Sequence, residues 1–315
     1  MAALFFVSRF VVASDGLPHR SAVESISAAE AQLKREPQQD LSCLALFSAG
    51  EAPVYCRQEN SRSRMIAIIG DSHAHVLFPG VAMVAAENGY GTLLLANSGC
   101  PPFDGAVTGR NAVERKRCSN SIETILSTIE RDLRIEAIVI ASRGPQYMDG
   151  TGFGPAEATY NYPPISSASD SEVFAQASPR TVFRAGLERS IVRLRKHGER
   201  IAYVLQVPEL GVPARNCLQR PWTLSRAGAG CEVDYKIYQE RMRDYRLLVE
   251  ELRSTQNYLN VIDLEPLFCD AQACSGYRDG QLLYADDNHL SVLGSIRAAP
   301  RILDVLKLDV QTQSP

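Results

Sequence analysis

From residue 65 onward, short apolar runs alternate with longer stretches whose apolar positions recur every three or four residues. The runs Met65–Ile69 (MIAII) and Ala137–Ala141 (AIVIA) have no polar face, which predicts strands buried on both sides. Thr92–Ala96, Ile201–Val207 and Leu259–Asp263 complete a set of five expected strands. Helices are expected over Ala74–Asn88, stopped by Gly89, and over Ser121–Leu133. Three more are expected over Ser178–His197, closed by Gly198, over Asp234–Arg253 and over Ser291–Leu306. Strands that alternate with helices predict an α/β fold: a three-layer, doubly wound sheet of about five parallel strands, covered on both faces. No internal repeat is visible. Two connections are long, Ser142–Ala177 and Pro208–Glu232, and connections of that length are functional or disordered more often than they are spacers. Residues 62–310 read as one α/β domain. Residues 16–61, with only weak helical periodicity, read as an N-terminal extension packed on it.

The charge balance narrows the function. With 36 acidic and 33 basic residues among 315, the net charge is -3, and no basic patch offers a nucleic-acid footprint. A hydrophobic content of 45% and the absence of low-complexity tracts argue against disorder. The apolar stretch Met1–Ala13 is interrupted by Arg9 and falls short of the ~20 residues that span a bilayer. It also lacks the basic start and small-residue cleavage site of a signal peptide. Residues 1–15 therefore read either as a frayed apolar tail or as the end of a transmembrane helix.

Eight cysteines, at 43, 56, 100, 118, 217, 231, 269 and 274, fall into four sequential pairs, each spanning a segment that reads as a loop. Sequence alone fixes no connectivity among eight cysteines. The spacings do not match zinc knuckles. Local pairing as Cys43–Cys56, Cys100–Cys118, Cys217–Cys231 and Cys269–Cys274 would staple four loops and would imply an oxidising compartment such as the bacterial periplasm. The alternative is eight unrelated buried thiols.

Candidate chemistry begins at Ile69-Gly70-Asp71-Ser72-His73-Ala74, where the first expected strand meets the first expected helix. In an open parallel sheet, ligands bind beyond the carboxyl ends of the strands. A serine there is exposed, with its backbone N–H at a helix N-terminus suited to an anionic oxygen. Ser and Asp are also ordinary helix caps, so the motif alone has a bland explanation. The second piece is Tyr284-Ala285-Asp286-Asp287-Asn288-His289-Leu290-Ser291, just before the last helix. Three residues of separation on a turn let Asp286 hold one ring nitrogen of His289 while the other faces a hydroxyl. Its bland counterpart is a capped helix start with His289 on the surface.

Together, the strand-end G-D-S and the late D-x-x-H resemble the SGNH (GDSL-type) hydrolase superfamily, whose fold is flavodoxin-like. The resemblance implies Ser72 as nucleophile, His289 as general base and acid, and Asp286 as the orienting carboxylate. G-D-S-H-A at 70–74, Asn97-Ser98-Gly99-Cys100-Pro101-Pro102 and the ending L-Y-A-D-D-N-H-L-S resemble one branch in particular. That branch is the periplasmic SGNH domain fused behind the membrane acyltransferase-three domain in bacterial O-acetyltransferases of surface polysaccharides. Gly16-Leu17-Pro18-His19-Arg20, after an apolar tail, fits the junction. The second-block glycine of the family maps to Gly99. Its third-block asparagine has no counterpart, because the sequence reads Ala141-Ser142-Arg143-Gly144 there. The oxyanion hole expected from the resemblance rests on the N–H groups of Ser72 and Gly99, with Arg143 or Asn97 as substitute donor. Arg143 is equally readable as a structural partner of a nearby carboxylate.

The resemblance implies an acyl-enzyme chemistry that requires no metal or organic cofactor. The partners it implies are a polysaccharide or other saccharide hydroxyl as acceptor and a membrane acyltransferase domain, in the same polypeptide or a separate one. Transferase and esterase share the acyl-enzyme, so sequence does not separate them. His73 and His75 read as packing or supporting residues. Tyr147, Phe153, Tyr160, Tyr162 and Trp222 are either sugar-stacking aromatics or plain loop residues. Two other classes compete: a metal-dependent phosphoesterase with Asp71 and His73 as ligands, and a polysaccharide-binding module that kept the fold without its chemistry. The first lacks the mid-sequence G-D-x-x-D block it needs. The second draws only on the missing asparagine.

Overall fold

The computed structural model describes residues 2–13, 31, 33, 36–48, 50–168, 177–195, 200–218, 228 and 230–307. Trp222, the Gly16–Arg20 segment and the last residues of the expected domain, 308–310, lie outside the described residues.

The central sheet holds β1 (Tyr55–Glu59), β2 (Met65–Gly70), β3 (Gly91–Ala96), β4 (Ile135–Ala141), β5 (Arg200–Val204) and β6 (Leu259–Ile262). Their spatial order is β1-β3-β2-β4-β5-β6. The five expected strands are parallel to their neighbours, and β1 closes one edge antiparallel to β3. This sixth strand comes from the stretch that reads as an extension. Its sequence, YCRQE, is half polar because an edge strand is covered on fewer sides than a central one.

Five long helices flank the sheet: α1 (Ser72–Glu87), α2 (Ala112–Arg131), α3 (Pro179–Leu194), α4 (Tyr235–Thr255) and α5 (Val292–Leu306). Helix α1 packs on α5, while α3 packs on both α2 and α4. Every residue of β2 and β3 is buried, which is why these strands read as unbroken apolar runs. Each Ile or Leu fully removed from water contributes about 1.5–3 kcal/mol. Helix α2 begins nine residues before its expected start. Asn111 caps it by accepting the N–H of Glu114, whose carboxylate reaches back to the N–H of Arg110.

The C-terminal ends of the strands lie level, with Gly70 opposite both Ala96 and Ala141. The strand order reverses between β2 and β4, so the topological crevice opens directly above Gly70. Four disulfides, Cys43–Cys56, Cys100–Cys118, Cys217–Cys231 and Cys269–Cys274, tie down segments around this frame. The N-terminal helix Ala2–Ala13 exposes Phe6, Phe10 and Val12. No described helix is long and apolar enough to cross a membrane.

Candidate active site

The turn after β2 is shaped by close backbone approach. A Cβ on Gly70 would lie 1.7 Å from the carbonyl oxygen of Ala141, so only glycine lets the two strand ends meet. Asp71 then caps α1, its Oδ1 accepting the N–H of His73 at 2.8 Å. Its Oδ2 accepts the N–H of Arg143 at 2.9 Å and the hydroxyl of Tyr147. Burial pushes the Asp71 carboxyl up, and these three donors offset part of that cost. Because Asp71 takes the cap, Ser72 becomes the first helical residue. Its N–H has no partner among the described residues and points along the positive end of the helix.

The second piece arrives in the connection that precedes α5. Asp286 Oδ1 accepts the N–H groups of Asn288 (3.0 Å) and His289 (2.8 Å), bending residues 286–289 into a tight turn. The same carboxylate meets His289 Nδ1 at 2.9 Å through Oδ2. With Nδ1–H directed to the carboxylate, Nε2 is left to accept, and it lies 2.8 Å from Ser72 Oγ. Burial raises the Asp286 carboxyl, but the His289 ring and the two backbone N–H groups outweigh it and hold it well below the carboxylate range. Leu210 N–H donates to the carbonyl of Asp287 at 2.7 Å, and Tyr284 hydroxyl donates to Pro208, so the loop after β5 fixes the turn.

Packing of α1 on α5 sets the distance between serine and histidine. Pro79 deprives α1 of an internal bond, and the next N–H, of Gly80, donates to Ser295 Oγ of α5 at 2.6 Å. Ser291 caps α5 two residues after His289. His73 stacks on His289 with ring centroids 4.8 Å apart, and burial with the nearby His289 holds its pKa well below the usual value. A neutral ring thus backs the imidazole. His75 faces away, stacked on Tyr55 and bonded to Pro37.

Beyond Ser72 lies a cleft of about 520 Å³. Gly99 and Asn97 line it, on the loop after β3. Gly99 has φ +63°, a left-handed conformation that glycine adopts without strain. The Gly99 N–H has no partner among the described residues. The Asn97 amide accepts the N–H of Val54 at 3.1 Å through Oδ1, which fixes its orientation and leaves Nδ2 without a partner among the described residues. The Cys100–Cys118 disulfide anchors this loop to α2, and a hydrogen bond from Thr108 to the carbonyl of Gly99 ties it to the segment before that helix.

A family model for the SGNH domain (fused to AT3 domains) matches residues 42–304. The protein belongs to this family. The periplasmic domain of the lipopolysaccharide acetyltransferase of Salmonella ser. Paratyphi A is a structural neighbour, with TM-score 0.54 and 16% identity over 90% of this protein and 97% of that domain. A putative acylhydrolase of Bacteroides fragilis aligns with TM-score 0.41 and 11% identity over 85% of this protein and 97% of its own length. No curated protein matches the sequence. As an SGNH domain, the protein is an enzyme that transfers or hydrolyses acyl groups.

Where the family pattern has its third-block asparagine, this SGNH domain builds an ion-pair cage. Arg143 directs Nε to Glu209 (2.9 Å) and Nη1 to Glu157 (2.9 Å), and Nη2 contacts both carboxylates. Burial disfavours the charge, but the two glutamates outweigh it and keep the guanidinium ionised. Its backbone N–H is held by Asp71. The cage has the geometry of the structural alternative for Arg143, whose guanidinium makes four hydrogen bonds to the two glutamates. Glu157 also accepts from Tyr162 hydroxyl at 2.8 Å and from Asn288 at 3.3 Å, and Arg241 joins Glu209 to Asp149.

The phosphoesterase ligands are not arranged for a metal. Asp71 has both oxygens engaged by donors of the protein itself, and His73 lies against His289. No group of three or more His, Cys, Asp or Glu suited to a metal forms among the described residues. Of the loop aromatics, Tyr147 and Tyr162 line the cleft, while Phe153 packs beneath Arg241 and Tyr160 is exposed. Sequence reasoning missed Glu157, Glu209 and Gln146. Gln146 is buried at the cleft, one turn after Arg143, in a short helix (Pro145–Asp149) opened by the Gly-Pro pair.

Proposed function

We propose that this SGNH domain is a serine O-acyltransferase or esterase that acts on acyl groups, acetyl in the simplest case, of cell-surface polysaccharide. The observation that carries the reading is the unbroken hydrogen-bonded series Ser72–His289–Asp286 beside a cleft, with the N–H groups of Ser72 and Gly99 unpartnered among the described residues. His289 Nε2 removes the Ser72 proton as Oγ bonds to the acyl carbonyl carbon. Asp286 holds the imidazolium. The negative oxygen is received by the N–H groups of Ser72 and Gly99, with Asn97 Nδ2 as third donor. Collapse breaks the bond to the leaving oxygen, which takes the proton from His289. A saccharide hydroxyl or water then gives its proton to His289 and attacks the acyl-enzyme, and collapse breaks the bond to Ser72 Oγ, which takes that proton back from His289.

Membership of a family fused to AT3 domains supports work in the periplasm, beside a membrane acyltransferase domain in the same polypeptide or another. The lipopolysaccharide acetyltransferase neighbour is in keeping with a surface saccharide as acceptor. A fluorophosphonate probe tests the chemistry. Labelling of Ser72 in the unmodified protein, lost in His289→Ala, is the expected result. An unlabelled Ser72 overturns the reading.

A further inference from the structure

The cleft wall opposite the ion-pair cage carries two arginines of a different kind. Arg110 precedes the cap of α2 and Arg117 lies within its second turn, and both line the cleft that holds Ser72, Gly99 and His289. Both are exposed, and neither has a carboxylate partner among the described residues. Arg143 and Arg241, on the other side, are bound to glutamates. Glu114 also lines the wall, but its carboxylate caps α2 through the N–H of Arg110 and the amide of Asn111. The disulfide at Cys118 ties the α2 backbone beside Arg117 to the Gly99 loop. Ser98, Gly99, Thr108 and Gly109 line the same cleft with small side chains, which leaves room for a ligand. Unpaired guanidiniums in a concave site attract carboxylate and phosphate, which they grip through paired N–H donors.

We propose that Arg110 and Arg117 form an anion-recognition subsite, and that the acceptor is a saccharide bearing a carboxylate or phosphate near the hydroxyl that is acylated. This rests on the acyl-transfer reading above. It makes the enzyme selective among surface glycans by charge.

Calorimetric titration of Ser72→Ala, which binds without turnover, tests it. The ligands are a glucuronate-containing oligosaccharide, its neutral glucose counterpart, glucose 6-phosphate, glucose and inorganic phosphate. The expected result is about five- to ten-fold tighter binding of an anionic sugar than of its neutral match, as two exposed charge pairs supply. The preference should fade as sodium chloride rises and the Debye length shrinks below about 10 Å. It should also be lost when Arg110→Gln and Arg117→Gln are added. Which anion gains more tells carboxylate from phosphate. Equal affinity for charged and neutral sugars overturns the proposal. So does a preference that survives both substitutions, inorganic phosphate binding as tightly as the sugar phosphate, or no saccharide binding at all. The salt series needs no arginine variant, so it decides even if the substituted protein misfolds. If fluorophosphonate leaves Ser72 unlabelled while the anionic preference persists, the chemistry fails and the subsite stands. Labelling without the preference leaves the chemistry standing and removes the subsite.

Discussion

The two walls of the cleft reach the same reacting centre by different physics. The wall from Asn97 to Cys118 is held by a covalent bond and backbone contacts, and its arginines face solvent. The wall built from Arg143, Tyr162, Glu157 and Asn288 is held by buried ion pairs, with Glu209 and Arg241 behind it. Charges buried in this way attract strongly but lose hydration, and removing one partner leaves the other stranded. A disulfide has no such dependence on protonation and instead depends on redox state. The contrast assigns the walls separate tasks: one keeps its cations available, the other neutralises its own and sets the shape.

The sharpest break involves the residues that span both walls. His289→Ala should lower kcat/KM for a small acyl ester by about 10⁴- to 10⁶-fold, since members of such a triad act as a unit. A loss under ten-fold would remove the shared machinery from the picture. Next in size, Glu209→Ala takes a partner from both Arg143 and Arg241, and should cost about 3–5 kcal/mol in urea denaturation. A cost below about 1 kcal/mol, as for an exposed pair, would mean that the cage does not hold its wall. On the opposite side, Asn97→Ala should reduce kcat by about 10²-fold with KM little changed, the signature of a group acting on the developing oxyanion. Replacing Cys100 and Cys118 by serine should cost about 3 kcal/mol, the loop-closure entropy for a segment of this order.

The smallest effect is the dependence on acidity. Asp286 and Glu157 are held below their ordinary values, in each case because partners outweigh burial. Each therefore favours the fold above the unfolded pKa of about 4. That contribution is lost as pH falls through the folded value. Asp71, raised by burial, acts in the opposite sense and favours the fold once protonated. The melting temperature should accordingly fall on acidification below about pH 4, and Asp286→Asn should flatten that slope. A variant with an unchanged slope would exclude Asp286 as a contributor. The double serine variant should keep the acid slope of the parent, which separates the two walls in one experiment.

What could be read from sequence follows from range. The five parallel strands announced themselves because each is covered on both faces, and Ser72, Asp286 and His289 lie in compact local motifs. Strand β1 escaped because an edge strand keeps polar residues such as Arg57 and Gln58. The early start of α2 escaped because its first turns, AVERKRCSN, are almost wholly exposed, although Asn111 with Glu114 three residues on is a readable helix start. The cage around Arg143 had no local signature at all. Its glutamates lie 14 and 66 residues away, in connections without periodicity. The oxyanion side was half legible: Gly99 and Asn97 sit in the motif, whereas the engagement of Arg143 emerges only in three dimensions.

The hydrogen bond from Gly80 to Ser295 joins helices whose contacting residues are 215 positions apart. A ribosome therefore releases Ser72 long before His289, so the hydroxyl stays an ordinary alcohol through most of synthesis. On the chemistry proposed above, reactivity would switch on only when α5 docks. A nascent polypeptide would then be harmless to the esters around it, and a proteolytic cut that frees α5 should abolish acyl transfer while leaving Ser72 intact.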